Sequence, residues 1–229
     1  MKKLLPLLLL ALALAGNSLG QAEPEEELKR FEIGVHFTLL ERRDANAAIE
    51  TFRRNNLLSP DYKSPIIHEA GLGVRFTYNL SKYIALEAEV NGFPQNKTAN
   101  PQIGVPQSVI EPGGRKLQGL FGPKIGIRRN KFGVFGKVRP GFIGMDRFEV
   151  VTDVIPLEGI AIFSEPRYGQ YFFNVDVGGV FEYYPTKRTM LRFDLGDTII
   201  RYNARPPREV NPTFTKHNLQ INAGFGFRF

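Results

Sequence analysis

The 229-residue chain contains no cysteine and no tryptophan, and only three histidines and three methionines. The lack of cysteine excludes disulfides, thiolate zinc sites and lipid attachment through a terminal cysteine. His36, His68 and His217 fall in no H-E-x-x-H or other metal-ligand spacing, so neither a metal nor another cofactor is expected. Long apolar runs are equally scarce. Beyond the amino-terminus no segment holds a dozen consecutive apolar residues, which excludes a helical membrane protein. Lysine and arginine outnumber acids 30 to 23, for a net charge of +7. Yet no five of them cluster, and no helical periodicity could lay a basic stripe in a DNA groove. No nucleic-acid partner is expected. The glycine-bearing "GRKLQGLFG" precedes no helix and is no phosphate loop, and "NKT" at 96–98 is a chance match to a glycosylation sequon.

What is present begins with "MKKLLPLLLLALALAGNSLGQAEP". Lys2 and Lys3 precede an apolar run from Leu4 to Ala15, followed by small residues. This is the pattern of a secretory signal peptide, and the run is too short to anchor the chain as a helix. Cleavage after Ala15 or Gly20 fits, and Gly20 is favoured, giving a signal at 1–20. Removal of the two lysines leaves a net charge of about +5. A polar spacer then occupies 21–30 and one domain 31–229.

That domain reads as eight segments of period two: 31–38, 69–78, 83–91, 117–128, 132–142, 172–184, 189–197 and 217–229. Their connections alternate long and short without exception: 39–68, 79–82, 92–116, 129–131, 143–171, 185–188 and 198–216. Short turns at one end and long loops at the other are the asymmetry of an all-β, eight-stranded, antiparallel up-and-down transmembrane barrel. Both termini then lie on the periplasmic side. Glycines such as Gly73, Gly122, Gly178 and Gly224 fall on the polar face, beside charged residues. That argues against a soluble lipocalin-like barrel, because glycine weakens a solvated strand face, whereas inside a narrow barrel it leaves room for long neighbours. Pro123 and Pro140 lie on apolar faces of the fourth and fifth strands, where a bulge or a strand end is expected.

The chain ends in "INAGFGFRF", with Phe225, Phe227 and Phe229 on one face. A strand face that meets lipid needs no protein cover, and aromatic residues gather at strand ends as girdles. Tyr78, Tyr83, Phe132, Tyr183, Tyr184 and Phe229 are expected in the periplasmic girdle. The terminal aromatic strand, together with the signal peptide and loop pattern, resembles the OmpA/OmpX-type superfamily of small outer-membrane barrels. The resemblance implies an outer-membrane location and lipid partners. It also implies recognition of Phe225, Phe227 and Phe229 by the barrel assembly machinery. No extra carboxy-terminal periplasmic domain of the OmpA kind is expected, and the sequence offers no tryptophan for the girdles. Some barrels of this size are lipid A deacylases with a serine two residues after a histidine. Here Thr38, Ala70 and Leu219 stand at those positions, so no catalytic residue is assigned. His36 reads as a satisfied interior histidine.

The inward faces carry Arg75, Lys124, Arg128, Lys137, Arg139, Arg192 and Arg228 against Glu32, Glu87, Glu89, Asp176, Glu182 and Asp194. Counting from the turns sets Glu87 level with Lys124, Arg75 beside Glu87, Arg139 opposite Asp176, Glu182 near Arg192 and Glu32 near Arg228. Near-balanced charge in a barrel just wide enough for side chains points to a plugged, ion-paired lumen. The expected role is that of a non-enzymatic envelope protein acting in envelope integrity, adhesion or surface recognition, with an unknown ligand on its extracellular loops. The alternative is a narrow porin-like channel.

Overall fold

The structure, a computed structural model, describes residues 28–43, 54–56, 66–94, 109–110, 114–146, 151–152, 169–203 and 213–229. The proposed signal peptide and most of the spacer lie outside these residues. The strands in chain order are β1 (Phe31–Arg43), β2 (Ile66–Asn79), β3 (Ile84–Phe93), β4 (Val109–Ile110), β5 (Lys116–Arg128), β6 (Phe132–Met145), β7 (Val151–Thr152), β8 (Gln170–Tyr183), β9 (Thr189–Tyr202) and β10 (Phe214–Arg228). Eight of them close an antiparallel barrel in the order β1-β10-β9-β8-β6-β5-β3-β2, so each barrel strand lies beside its neighbours in sequence and the last pairs with the first. The fold expected from the alternating segments is the fold observed. β4 and β7 form a separate two-stranded ribbon that ties the connection after β3 to the connection after β6.

Closure joins the two ends of the domain. Phe31 N–H donates to Phe229 O at 3.0 Å, and Phe229 N–H to Phe31 O at 2.9 Å. The stagger of the strands follows from the pairing. From Leu40 on β1 the register runs through Gln220, Gly196, Gly178, Lys137, Lys124, Ala85 and Asn79, whose N–H bonds Arg30 O. One circuit therefore shifts the chain by ten residues, from 40 to 30. A shift of this size tilts the strands steeply, as closure of a narrow barrel requires.

Polarity is inside out compared with a water-soluble barrel. Leu72 is 71% exposed on the outer wall, while Glu87 is 0% exposed inside. The outward apolar belt on β1 runs from Phe31 to Leu39, and Glu41 begins a polar rim. These nine residues of strand, tilted by roughly 40°, rise about 23 Å, close to the roughly 25 Å of the apolar band of membrane barrels. At the short-turn end Phe31 packs on Tyr78 and Phe229, with centroids 5.2 and 6.0 Å away, and Phe132 on Tyr183 at 5.2 Å. Tyr184 does not join this girdle. It follows Tyr183 directly, so period two turns it into the lumen, where it is buried.

The prolines correct a second expectation. β5 and β6 keep one register, with Leu120 opposite Gly141 and Lys124 opposite Lys137, but pairing lapses across 121–123 and 138–140. Equal numbers lapse on each side, so there is neither a bulge nor a strand end. Pro123 stays paired with Leu86 on its other side, and Pro140 with Val175. A proline lacks one donor, which affects only one side of its strand. With both in the same interval, the loss is confined to a single seam.

Strands also run further toward the long loops than the alternation of charge suggested. Parts of the expected connections, including Leu39–Arg43 and Thr198–Tyr202, belong to β1 and β9. Period two continues there but the inward residues change character. Leu40, Phe93, Ile143, Met145, Phe172, Ile200, Tyr202 and Phe214 form an apolar cluster inside the long-loop end. Above the lipid the outer wall meets water, so the lumen takes the apolar role of an ordinary soluble core. Phe172→Ala should therefore cost about 3–5 kcal/mol in a urea titration of the folded barrel in micelles. Leu117→Ala, on the lipid-facing wall, should cost well under half of that.

Candidate functional site

The lumen is the site that the strands build. All thirteen charged residues expected inside do face it, and they connect opposite walls. At the level nearest the short turns, Glu32 Oε1 accepts from Arg128 Nη2 at 3.0 Å, Arg228 Nε at 3.2 Å and Asn79 Nδ2 at 2.9 Å. Tyr184 O–H donates to Glu182 and itself accepts from Arg128 Nε at 2.8 Å, with the Arg228 guanidinium over its ring.

One level further in, Lys124 Nζ donates to Glu182 Oε1 at 2.5 Å and lies 3.2 Å from Glu87 Oε1. Arg192 grips Glu87 across the lumen with both terminal nitrogens, and its Nε donates to Asp194 Oδ1 at 2.6 Å. Above these, Arg139 donates to Asp176 Oδ2 at 2.6 Å and Glu89 Oε2 at 2.7 Å, and Lys137 lies 2.8 Å from Asp176. Planar guanidinium forks suit such shared, two-pronged contacts.

Four expected neighbour pairs meet here: Glu87 with Lys124, Arg139 with Asp176, Glu182 with Arg192, and Glu32 with Arg228. Arg75 does not lie beside Glu87. The β2–β3 register sets Thr77 opposite Glu87 and Arg75 opposite Glu89, whose Oε2 accepts from Arg75 Nε at 2.7 Å. The turn decides this: Leu80 N–H and Ser81 N–H both bond Ile84 O, and that fold-back fixes the pairing by two residues.

Neutral groups complete the filling, and charge-based reading overlooked them. Asn91 Nδ2 donates to Glu89 and Gln118, and Gln118 and Gln220 exchange amide hydrogen bonds from β5 to β10. Thr198 O–H donates to Gln220 Oε1 at 2.6 Å. The signal for these residues was parity alone, since Asn91 shares a face with Glu89 and Gln220 with Arg228. His36 Nε2 lies 2.7 Å from Asn91 Oδ1, a satisfied interior position. A Cβ on Gly73 would run into the His36 ring, so that glycine does make room for a side chain; at Gly122 the neighbouring backbone of β6 takes the space instead. Toward the loops, Glu69 Oε1 accepts from Arg42 Nε at 2.9 Å and lies 3.1 Å from Lys116. A cavity of about 10 Å³, room for one water, lies among Glu32, His36, Arg75, Thr77 and Arg192 and reaches the β1 and β10 wall at Val35 and Phe225.

On the outer wall, Phe225, Phe227 and Phe229 face outward from β10, with Phe225 and Phe227 edge to face at 4.8 Å. At the polar rim His217 Nδ1 lies 2.6 Å from Asp197 Oδ2, and His68 Nδ1 lies 3.4 Å from Glu41. Among the described residues no group of three His, Asp or Glu is placed to hold a metal ion.

No protein-family model matches the chain, and no curated protein matches it. Solved structures resemble it. Neisserial surface protein A (NspA) aligns at 10% identity over 87% of this chain and 97% of its own, with a TM-score of 0.49. Ail, the attachment invasion locus protein of Yersinia pestis, aligns at 9% identity over 88% and 100%, with a TM-score of 0.45. The N-terminal β-barrel domain of Pseudomonas aeruginosa OprF aligns at 14% identity over 88% and 98%, with a TM-score of 0.41. In architecture the chain is a small, closed, eight-stranded antiparallel barrel, and the likeness to these proteins is one of fold. No role is carried over from these proteins.

Removing one member of a buried ion cluster strands its partners, which costs roughly 3–5 kcal/mol. Lys124→Ala should destabilise the folded barrel by about that amount in urea titrations. Lys124→Ala combined with Glu182→Ala should recover part of the loss, because Glu182 no longer lacks its nearest cation.

Proposed function

We propose that the protein is an integral outer-membrane barrel with a closed lumen, whose role in envelope integrity, adhesion or surface recognition is carried by its long extracellular loops and not by transport or catalysis. The observation that carries this reading is the lumen itself. Charges fully withdrawn from water bridge opposite walls, and an apolar cluster caps them at the long-loop end. An ion would have to break paired, buried charges to pass, and each such break is costly. The apolar outer wall supports a lipid environment, and the amino-terminal signal supports export. The short turns and both termini are assigned to the periplasm, leaving the long connections outside the cell. What those loops bind is set by residues beyond the barrel wall.

The terminal face of Phe225, Phe227 and Phe229 is assigned to recognition by the barrel assembly machinery. Exposure supports this: Phe229 has half its surface or more uncovered while its backbone is already paired with Phe31.

Purified barrel in a planar bilayer should give little or no single-channel conductance. Steady, well-resolved openings would instead establish the porin-like alternative. Tags inserted in 92–116 or 143–171 should label on intact cells, and tags at 129–131 or 185–188 should not. Phe229→Asp should lower the amount of assembled protein in outer membranes far more than its interfacial transfer cost of about 0–1 kcal/mol would suggest. Normal assembly of that variant would remove the terminal strand from the recognition step.

A further inference from the structure

The side chains exposed at the short-turn end of the barrel carry charge of one sign. Arg30 precedes β1, Lys82 lies in the β2–β3 turn, Arg129 and Lys131 in the β5–β6 turn, and Lys187 and Arg188 in the β8–β9 turn. All six are exposed. Among the described residues no acidic side chain is exposed at this end. The nearest carboxylates, Glu32 and Glu182, point into the lumen and are engaged by Arg128, Arg228 and Lys124. The opposite rim is different in kind. There the signs mix, with Arg115 3.4 Å from Asp146 and histidines beside Glu41 and Asp197. The one-signed rim is thus a local arrangement and not a reflection of the net charge.

Two further features give it a direction. The basic side chains sit next to the aromatic girdle: Arg30 beside Phe31, Lys131 beside Phe132, and Lys82 beside Tyr83, with its Nζ 5.3 Å from the ring centroid. That is the depth at which phospholipid phosphates lie in a leaflet. They are also spread around the whole circumference, because the barrel order separates the four positions by two strands each. A ring of this kind meets the surrounding leaflet on every side, whereas a protein partner or polymer would touch one sector.

We propose that this ring is a lipid-recognition surface that gathers anionic phospholipids, through their phosphate headgroups, around the short turns. Arg30, Lys82, Lys131, Lys187 and Arg188 crowd like charge onto one narrow rim, and lipid anions offset it while the girdle holds the acyl chains. The attraction of basic residues to an anionic leaflet is screened by salt. Assignment of that leaflet to the periplasmic side rests on the topology proposed above; the recognition itself does not.

The test uses the mature chain in vesicles of phosphatidylcholine with a minor fraction of phosphatidylglycerol in both leaflets, so that orientation does not affect the result. Lipids retained by the protein are identified by native mass spectrometry. At low salt, phosphatidylglycerol should be enriched about fivefold over its bulk fraction. The enrichment should vanish at high salt, and also in the combined variant Lys82→Gln, Lys131→Gln, Lys187→Gln and Arg188→Gln. These positions lie in exposed turns, and heat-modifiable migration of the variant would verify that it still folds. The salt series on the unmodified protein gives an independent reading. Equal retention of the two lipids by the unmodified protein overturns the proposal, as does enrichment that survives the combined variant. Enrichment that emerges only after Glu23, Glu25, Glu26 and Glu27 are changed to Gln also overturns it, by showing that the chain's own acidic segment occupies the ring. An inverted topology would be revealed separately by the labelling of intact cells.

Discussion

A charge can be taken out of water only beside its opposite, and most of this barrel follows from that constraint. Lipid requires apolar side chains on the outer wall. Period two then sends every other residue inward, and eight strands leave no room inside for a column of water. Whatever charged groups stand inward must pair with one another. Arg192 reaching Glu87 and Lys124 reaching Glu182 are therefore connections between distant walls as much as they are ion pairs. The same closeness explains why Gly73 and Gly122 have no side chain to spare, one yielding space to His36 and the other to the backbone of β6.

The interior changes with height because the exterior does. Within the lipid the lumen is ionic, and near Asn91, Gln118 and Gln220 it becomes a layer of neutral amides. Past the polar rim it becomes the apolar cluster around Ile143, Phe172 and Ile200, with one ionic group, Glu69 between Arg42 and Lys116, buried beside it. A single pair of rules, apolar toward lipid and polar toward water, thus reverses the role of the inward face along one strand. The seam of Pro123 and Pro140 tolerates its missing donors because each proline keeps its other neighbour. A closed sheet also has no edge from which the interruption could spread.

The sequence by itself determined the number of strands, the face each turns outward, and the alternation of short and long connections, because these depend on parity and on local turn chemistry. Parity also assigned thirteen charges to the inside, but Arg42, Glu69 and Lys116, which join them there, were missed because Arg42 and Lys116 stood in expected connections and Glu69 at a strand end. Tertiary structure decided the rest. Tyr184 left the girdle because its neighbour Tyr183 already held the outward position. Arg75 found Glu89 and not Glu87 because the Leu80–Ile84 fold-back sets register, and register depends on hydrogen bonds that no single strand contains. Strand ends were misread where inward residues turned from charged to apolar, a change that has meaning only once the membrane boundary is known. Partners across the lumen were decided last of all. The ten-residue stagger brings together residues from strands far apart in the chain, and a stagger is a property of the closed barrel, not of any segment in it.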